Sequence, residues 1–255
     1  MKILGIIPAR MASSRFPGKP MKDILGMPMI GHCYKRAQMS SVLNDVYVAT
    51  CDLEIFEYIK SIGGKVVMTS SSHERASDRI AEALLIIEKI NKIKSEIVVL
   101  LQGDEPMTRP SMIEAAVHPL IHSENIKISN LYTKIKTINE FENRNEVKVV
   151  VDKNNFAMYF SREPIPSRRM NFLNVPMYKQ VCVIPFKRDF LIEYNKMEQT
   201  PLEIIESVDM MRVLENGIKI KMVYISDENY SVDTANDLKN VIRIMKNDSI
   251  IKDYI

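Results

Sequence analysis

The stretch that decides the fold of this chain is Ile6-Ile7-Pro8-Ala9-Arg10-Met11-Ala12-Ser13-Ser14-Arg15-Phe16-Pro17-Gly18-Lys19-Pro20. The apolar run from Lys2 to Ile7 predicts a buried first strand, and the loop after it carries the cations Arg10, Arg15 and Lys19. In an open α/β sheet, ligands bind beyond the carboxyl ends of the strands, where this loop would lie. Because such cations form charge-assisted hydrogen bonds with phosphate oxygens, the loop predicts a polyphosphate site. A solvated basic loop is the alternative.

Composition places the chain among ordinary globular proteins. Its 255 residues suffice for one large domain, and its net charge of +3 is spread along the chain, unlike a nucleic-acid-binding stripe. No apolar run approaches the ~20 residues that cross a bilayer, and Arg10 interrupts the apolar start too early for a signal peptide. Three cysteines without metal-ligand spacing fit a reducing compartment. We expect a cytoplasmic protein without nucleic-acid or membrane partners.

Strand-like and helical segments alternate over the first half of the chain. Predicted strands at 45–50, 65–69 and 97–101 are followed by predicted helices at 52–61, 77–90 and 110–121. This alternation predicts an α/β fold with a mostly parallel central sheet flanked by helices.

The alternation changes from about Lys127 onward. Strand-like runs at 128–135, 147–151, 157–161 and 178–185 follow one another, and a long helix is predicted from Pro201 to Asn216. We expect residues 1–255 to form a single domain in which residues 127–186 are a smaller, β-rich inserted lobe. This lobe would shape the site of a second substrate.

Two carboxylates stand at strand-to-helix junctions far apart in sequence. Asp104 follows the predicted strand 97–101, and Asp233 precedes the last predicted helix, where it or Thr234 would serve as the N-cap. If both converged on triphosphate oxygens, they would hold Mg²⁺, which prefers a few carboxylates together with phosphates. A turn residue and a helix cap are the simpler interpretations of the two residues taken singly.

The histidines give a weaker signal. His118 and His122 have the spacing of two metal ligands on one helix face, but no third ligand is in view, which favours an exposed helix. His73 follows four small hydroxylated residues, and either a position near a nucleotide or a simple loop fits it.

Several longer motifs occur in order along the whole chain. They are Ile7-Pro8-Ala9-Arg10, Pro17-Gly18-Lys19-Pro20, Asp78-Arg79-Ile80-Ala81-Glu82, Gln102-Gly103-Asp104-Glu105-Pro106, Tyr159-Phe160-Ser161-Arg162, Arg212-Val213-Leu214 and Val232-Asp233-Thr234. Together they resemble the signature of the 3-deoxy-manno-octulosonate (Kdo) cytidylyltransferases, also called CMP-Kdo synthetases. The resemblance implies a Rossmann-like nucleotidyltransferase fold and a homodimer.

The resemblance also implies a reaction, namely transfer of CMP from CTP to the anomeric hydroxyl of a 3-deoxy-ulosonic acid, with release of pyrophosphate, for surface-glycan synthesis. Arg10, Lys19, Asp104 and Asp233 would be the catalytic residues, and the two aspartates would hold Mg²⁺. The nucleotide-binding residues implied are Pro8, Ala9, Arg10, Ser13, Arg15, Lys19, Ser77, Arg79 and Gln102.

The sequence departs from the family pattern where the sugar acid should bind. The family's His-(Leu/Ile)-Gly-(Ile/Val)-Tyr strand corresponds here to Gln180 through Ile184, and its Glu-Gln pair corresponds to Asp209-Met210. Arg162, expected to meet the acceptor, is kept. A site built to hydrogen-bond several hydroxyls discriminates sharply, so these changes predict an acceptor other than ordinary Kdo.

Two other functions remain open from the sequence. One is a nucleotidyltransferase that uses a different acceptor, such as a sugar phosphate or polyol phosphate. The other is a nucleotide-binding homologue that has lost catalysis, although retention of both aspartates argues against it.

Overall fold

The computed structural model describes residues 1–12, 16–169 and 175–255. The strands and helices in chain order are β1 (Ile3–Ala9), β2 (Asp23–Ile24), β3 (Met27–Pro28), α1 (Met29–Gln38), β4 (Asp45–Thr50), α2 (Leu53–Ser61), β5 (Val66–Met68), α3 (Ala76–Asn91), β6 (Ile97–Leu101), α4 (Pro110–His122), β7 (Ser129–Lys134), α5 (Ile138–Glu142), β8 (Lys148–Val151), β9 (Ala157–Ser161), β10 (Tyr178–Val181), β11 (Val183–Lys187), α6 (Arg188–Tyr194), α7 (Pro201–Glu206), α8 (Met210–Glu215), β12 (Lys221–Tyr224) and α9 (Ala235–Met245). Short 3₁₀ helices lie at Lys19–Met21 and Ser249–Asp253.

Parallel strands form the core of the first of two compact units, which comprises Met1–Glu114 and Asn229–Ile255. Its strands follow the order β6-β1-β4-β5, and every pair among them is parallel. All five residues of β6 are buried, which explains why this strand is apolar without alternation. The predicted α/β fold with a parallel-rich sheet is confirmed.

The second compact unit, Ala115–Glu228, contains a mixed sheet in the order β12-β7-β10-β8-β9. Strand β12 runs parallel to β7, while the pairs β7–β10, β10–β8 and β8–β9 are antiparallel. The strand-like runs expected in the β-rich part of the chain lie in this unit. Among the residues that the structure describes, no helix is long and apolar enough to cross a bilayer.

Two elements predicted as continuous are each divided in the structure. The predicted strand 178–185 is interrupted at Cys182, which separates β10 from β11. The predicted helix 201–216 is two helices, α7 and α8, because Ser207 adopts a left-handed conformation with φ of 52°. The apolar residues of the sequence keep a helical period across Ser207, so the pattern does not predict this break.

A buried ion pair joins the two halves of the divided helix. Arg212 in α8 donates from Nε and Nη2 to the two carboxylate oxygens of Glu203 in α7, each over 2.7 Å. Glu203 is fully buried, and its hydrogen bonds raise the pKa of Arg212 above its ordinary value. This bidentate pair fixes α7 against α8.

Glu203→Ala should therefore lower the free energy of unfolding by about 3–5 kcal/mol, because it leaves the Arg212 charge buried without its partner. Glu163 is the control, since its ion pair with Arg144 is exposed on both sides and its loss should cost less than about 1 kcal/mol. Urea unfolding followed by circular dichroism measures both. Equal losses of unfolding free energy in the two variants would contradict the assignment of Glu203 as the structural partner of Arg212.

Candidate active site

Two neighbouring strands bring their carboxyl ends together at the candidate site. Strands β1 and β6 are parallel partners, so Arg10, after β1, and the loop Gln102–Asp104, after β6, emerge at the same edge of the sheet. Gly103 permits the close approach of the two loops. A Cβ atom at this position would lie 2.9 Å from the carbonyl oxygen of Pro8, a backbone atom that cannot rotate away.

An ammonium group joins two carboxylates at this edge. The Nζ atom of Lys19 lies 2.6 Å from Oδ2 of Asp104 and 3.3 Å from Oδ1 of Asp233. The three side chains are largely shielded from water, with exposed fractions of 12%, 28% and 20% respectively. The structure thus brings together three of the residues singled out from the sequence.

The charge of Lys19 is maintained by its partners. Burial by itself would lower the pKa of the ammonium group, but attraction and hydrogen bonding to Asp104 and Asp233 outweigh burial. The pKa of Lys19 is therefore raised above its ordinary value, and the side chain is a cation at neutral pH.

Asp233 reaches Lys19 because its neighbour caps the helix. Thr234 is the N-cap of α9, with its hydroxyl accepting from the backbone N–H of Asp237, and the Asp237 carboxylate accepts from the Thr234 N–H. The backbone N–H of Val232 donates to the carbonyl oxygen of Asp104 over 2.9 Å. These bonds hold the Asp233 segment beside the Asp104 loop and resolve the choice of cap in favour of Thr234.

A cavity of about 290 Å³ opens beside Lys19. Basic side chains predominate among its charged lining residues, which are Arg10, Lys19, Arg75, Arg79, Glu74 and Asp104. Pro8, Ala9 and Gln102, three residues of the predicted nucleotide-binding set, also line it. Arg75 and Ala76, at the start of α3, form part of the wall, and a helix N-terminus adds partial positive charge there. The cavity is therefore suited to an anion.

The far wall of the cavity is organised by buried Arg79. Its guanidinium group donates to Oγ1 of Thr69 over 2.6 Å and to the carbonyl oxygen of Ser70 over 3.1 Å. It also donates to the carbonyl oxygen of His73, which accepts from Arg10 as well, each over 3.3 Å. The His73 ring is hydrogen-bonded to Glu82 over 2.6 Å. Arg79 and Arg10 thus attach the loop 69–73 to the cavity.

Arg75 and Glu74 line the cavity and were not identified from the sequence. Their neighbour His73 is among the residues that the sequence places either near a nucleotide or in a simple loop, and all three directly precede α3. The sequence does contain a signal for Arg75, because a cation immediately before a helix N-terminus lies where anions bind.

Other predicted residues lie elsewhere. Ser77 is buried in the first turn of α3 and is not among the described residues that line the cavity. Ser13 and Arg15 fall outside the described residues. His118 and His122 are exposed on α4 with ring centroids 4.2 Å apart, and no group of three potential metal ligands of the His, Cys, Asp or Glu type occurs in the described ranges.

The five residues expected to bind the acceptor belong to the second unit. Arg162 donates to the backbone carbonyl oxygens of Arg144 and Ser207 and to that of Glu206, over 2.8–3.1 Å. Gln180 and Asp209 are partly exposed, whereas Ile184 and Met210 are buried with exposed fractions of 5% and 2%. Their contact with an acceptor stays a prediction.

A parallel α/β sheet with a cation-lined cavity at its carboxyl edge is typical of nucleotide-binding α/β proteins. Comparison with known proteins narrows this class. A model of the family described as cytidylyltransferase matches residues 4–220.

Two curated relatives, both 3-deoxy-manno-octulosonate cytidylyltransferases, align over nearly the whole chain. The protein of Geobacter metallireducens is 40% identical, with 95% of this chain and 97% of the relative covered. The protein of Fusobacterium nucleatum subsp. nucleatum is 42% identical, with 98% and 99% covered. A solved CMP:2-keto-3-deoxy-manno-octonic acid synthetase in complex with CTP superimposes with a TM-score of 0.88 at 34% identity, covering 96% of this chain and 99% of that one.

The chain therefore belongs to the cytidylyltransferase family, and within it to the 3-deoxy-manno-octulosonate cytidylyltransferases. It is a nucleotidyltransferase enzyme. The family and fold implied by the sequence motifs are confirmed.

Gly103→Ala should force the β1 and β6 loops apart, lower the free energy of unfolding by about 1–3 kcal/mol and weaken CTP binding. Gly5→Ala is a matched control in β1, because its added Cβ would also approach an atom at 2.9 Å, but that atom is Cδ1 of the flexible Leu43 side chain. Thermal unfolding and calorimetric titration with CTP measure the two effects. If Gly5→Ala impaired CTP binding as much as Gly103→Ala, the close approach at Pro8 would not be the cause.

Proposed function

We propose that this enzyme transfers CMP from CTP to the anomeric hydroxyl of a 3-deoxy-ulosonic acid, Kdo or a Kdo-like sugar acid, in surface-glycan synthesis. The observation that carries the proposal is the Lys19 ammonium between Asp104 and Asp233, beside a cavity with three arginines in its wall. The relatives named for Kdo cytidylyl transfer and the neighbour solved with CTP support the choice of substrates.

In this proposal the cavity holds the nucleotide. Arg10 and Lys19 contact the phosphates, because both line the cavity and both are strong donors to phosphate oxygens. Pro8, Ala9, Arg79 and Gln102 form the remaining wall. Arg79 acts largely through the backbone carbonyl oxygens that it holds, which fix the loop 69–73. Ser13, Arg15 and Ser77 remain predicted members of the nucleotide-binding set.

Asp104 and Asp233 fit a divalent cation by the chemistry of their donor atoms. Their carboxylates already converge on one positive charge, that of Lys19, and two carboxylates together with phosphate oxygens are the ligands that Mg²⁺ prefers. When bound, Mg²⁺ would neutralise triphosphate charge and favour loss of pyrophosphate.

The reaction requires positioning more than covalent catalysis. The acceptor hydroxyl oxygen forms a bond to the α-phosphorus of CTP, the bond from that phosphorus to the bridging oxygen breaks, pyrophosphate leaves, and the hydroxyl proton passes to solvent. Arg10 and Lys19 would hold the phosphates in line and stabilise the charge that develops on the leaving pyrophosphate.

Purified enzyme with CTP, MgCl₂ and a 3-deoxy-ulosonic acid should release pyrophosphate, and Asp104→Ala and Asp104→Asn should each lower the rate by about 100-fold or more. The asparagine variant keeps the shape and removes the charge. Asp189→Ala, which removes a carboxylate that is 90% exposed, should leave the rate unchanged. A rate unaffected by Asp104→Asn would refute the proposed role of this carboxylate.

An acceptor panel separates the remaining alternatives. Release with sugar phosphates or polyol phosphates instead of sugar acids would favour a different nucleotidyltransferase. CTP binding without release on any acceptor would favour a binding protein without catalysis.

The acceptor itself is expected to differ from unmodified Kdo. Compared with the family pattern, Gln180, Ile184 and Met210 replace a histidine, a phenol and an amide, and fewer polar groups should reduce recognition of Kdo hydroxyls. We predict a kcat/KM for Kdo below about 10⁴ M⁻¹s⁻¹, under the usual enzyme range. A higher value in the pyrophosphate assay would contradict this preference and leave the cytidylyltransferase proposal intact.

We also propose a cytoplasmic homodimer. The sequence holds three cysteines, an odd number without metal-ligand spacing, which supports a reducing compartment. The family resemblance implies the homodimer, and residues 127–186 are the expected subunit contact.

A further inference from the structure

A second polar cluster in the first unit joins α1 to the segment after α9. It consists of His32, Arg36, Asp248 and Tyr254 and is called here the Tyr254 cluster. The phenol oxygen of Tyr254 lies 2.8 Å from Nδ1 of His32 and 3.0 Å from Nε of Arg36. Arg36 also forms an ion pair with Asp248, and the side chains of this pair are 1% and 4% exposed. Their charges are therefore removed from water and depend on each other.

The hydrogen-bonding roles within the Tyr254 cluster follow from its partners. Nε2 of His32 lies 2.7 Å from the carbonyl oxygen of Ile24, which can only accept, so the proton of the neutral ring is on Nε2. Burial lowers the pKa of His32 and keeps the ring neutral. Nδ1 then accepts from the Tyr254 hydroxyl, whose oxygen in turn accepts from Arg36. One phenol oxygen thus connects both α1 side chains.

The Tyr254 cluster contacts the segments that carry Lys19 and Asp104, and it is connected to the segment that carries Asp233 through α9. His32 holds the carbonyl oxygen of Ile24, five residues after Lys19. Arg36 donates to the carbonyl oxygen of Met107, three residues after Asp104, over 3.4 Å. Asp248 and Tyr254 themselves follow α9, which begins just after Asp233.

An apolar core is shared by the same three segments. It includes Ile24, Met107, Val232, Val241, Met245 and Ile251. Apolar contacts are not directional and tolerate sliding, whereas the hydrogen bonds of the Tyr254 cluster fix particular backbone carbonyl oxygens. The two together determine where each segment lies.

We propose that Tyr254 and Arg36 are positioning residues for the Lys19, Asp104 and Asp233 group. They hold the three segments so that the carboxylates of Asp104 and Asp233 both contact the Lys19 ammonium group. Precise placement matters because a productive site tolerates displacements of only about 0.5 Å. This inference rests on the proposed function, in which Asp104 and Asp233 hold the metal that accompanies CTP.

Tyr254→Phe tests the inference with little change of shape. The Tyr254 ring centroid lies 5.5 Å from the guanidinium carbon of Arg36 and 5.6 Å from the ring centroid of His32. The phenylalanine ring keeps both contacts, and only the shared oxygen is lost. Tyr34→Phe is the matched control. Its phenol oxygen, also at α1, accepts from the backbone N–H of Lys65 and from Gln38, and neither of these partners lies in the three segments.

The measurement is calorimetric titration of the full-length chain with CTP at increasing MgCl₂ and without acceptor, so that no turnover occurs. The MgCl₂ concentration for half-maximal CTP binding should rise about tenfold in Tyr254→Phe and stay within about twofold of wild type in Tyr34→Phe. Tm is measured for both, since a purely structural role would lower Tm without this shift. If Tyr254→Phe is unfolded at the assay temperature, His32→Gln replaces it, with the same expectation.

Each result decides the question. Equal shifts in the two variants, or none in Tyr254→Phe, would overturn the positioning role while the proposed function stands. Absence of Mg²⁺-dependent CTP binding in the wild type would overturn the proposed function and this inference with it.

Discussion

The candidate site depends on the shared ion pair in which the Lys19 ammonium contacts Asp104 and Asp233. Two carboxylates this close repel each other unless a cation lies between them. Lys19 supplies that charge from inside the protein. The pair also closes two long loops of the chain, since Asp104 is 85 residues from Lys19 and Asp233 is 214 residues from it. The parallel sheet and α9 therefore have to bring distant parts of the chain together for these contacts to exist.

Backbone geometry turns this pairing into a cavity for an anion. Strands β1 and β6 end side by side, and Gly103, which has no Cβ atom, allows the loop after β6 to lie against the Pro8 carbonyl oxygen of β1. Arg79 and Arg10 then hold the opposite loop through the carbonyl oxygen of His73. Cations therefore surround a space whose walls are fixed by the backbone, which is the preorganisation that phosphoryl transfer requires.

The second unit carries the features in which this chain differs from the family pattern. Its mixed sheet holds Gln180 on β10, Ile184 lies on β11, and Met210 begins α8. The break at Ser207 and the Glu203–Arg212 pair set where α8 starts. In the proposed function, acceptor choice would change through this unit while the nucleotide-binding residues are kept, so that one reaction class could serve different sugar acids.

The sequence by itself determined the family, the parallel sheet, and the positions of Lys19 and Asp104 at the carboxyl edge of that sheet. These follow from local signals, namely apolar period and motif spacing, which span a few residues each. Only the tertiary structure decided that Asp104 and Asp233 meet on the Lys19 ammonium group and that Arg10 and Arg79 bind the same carbonyl oxygen of His73. Those outcomes depend on contacts between distant segments, whose energies no local pattern contains.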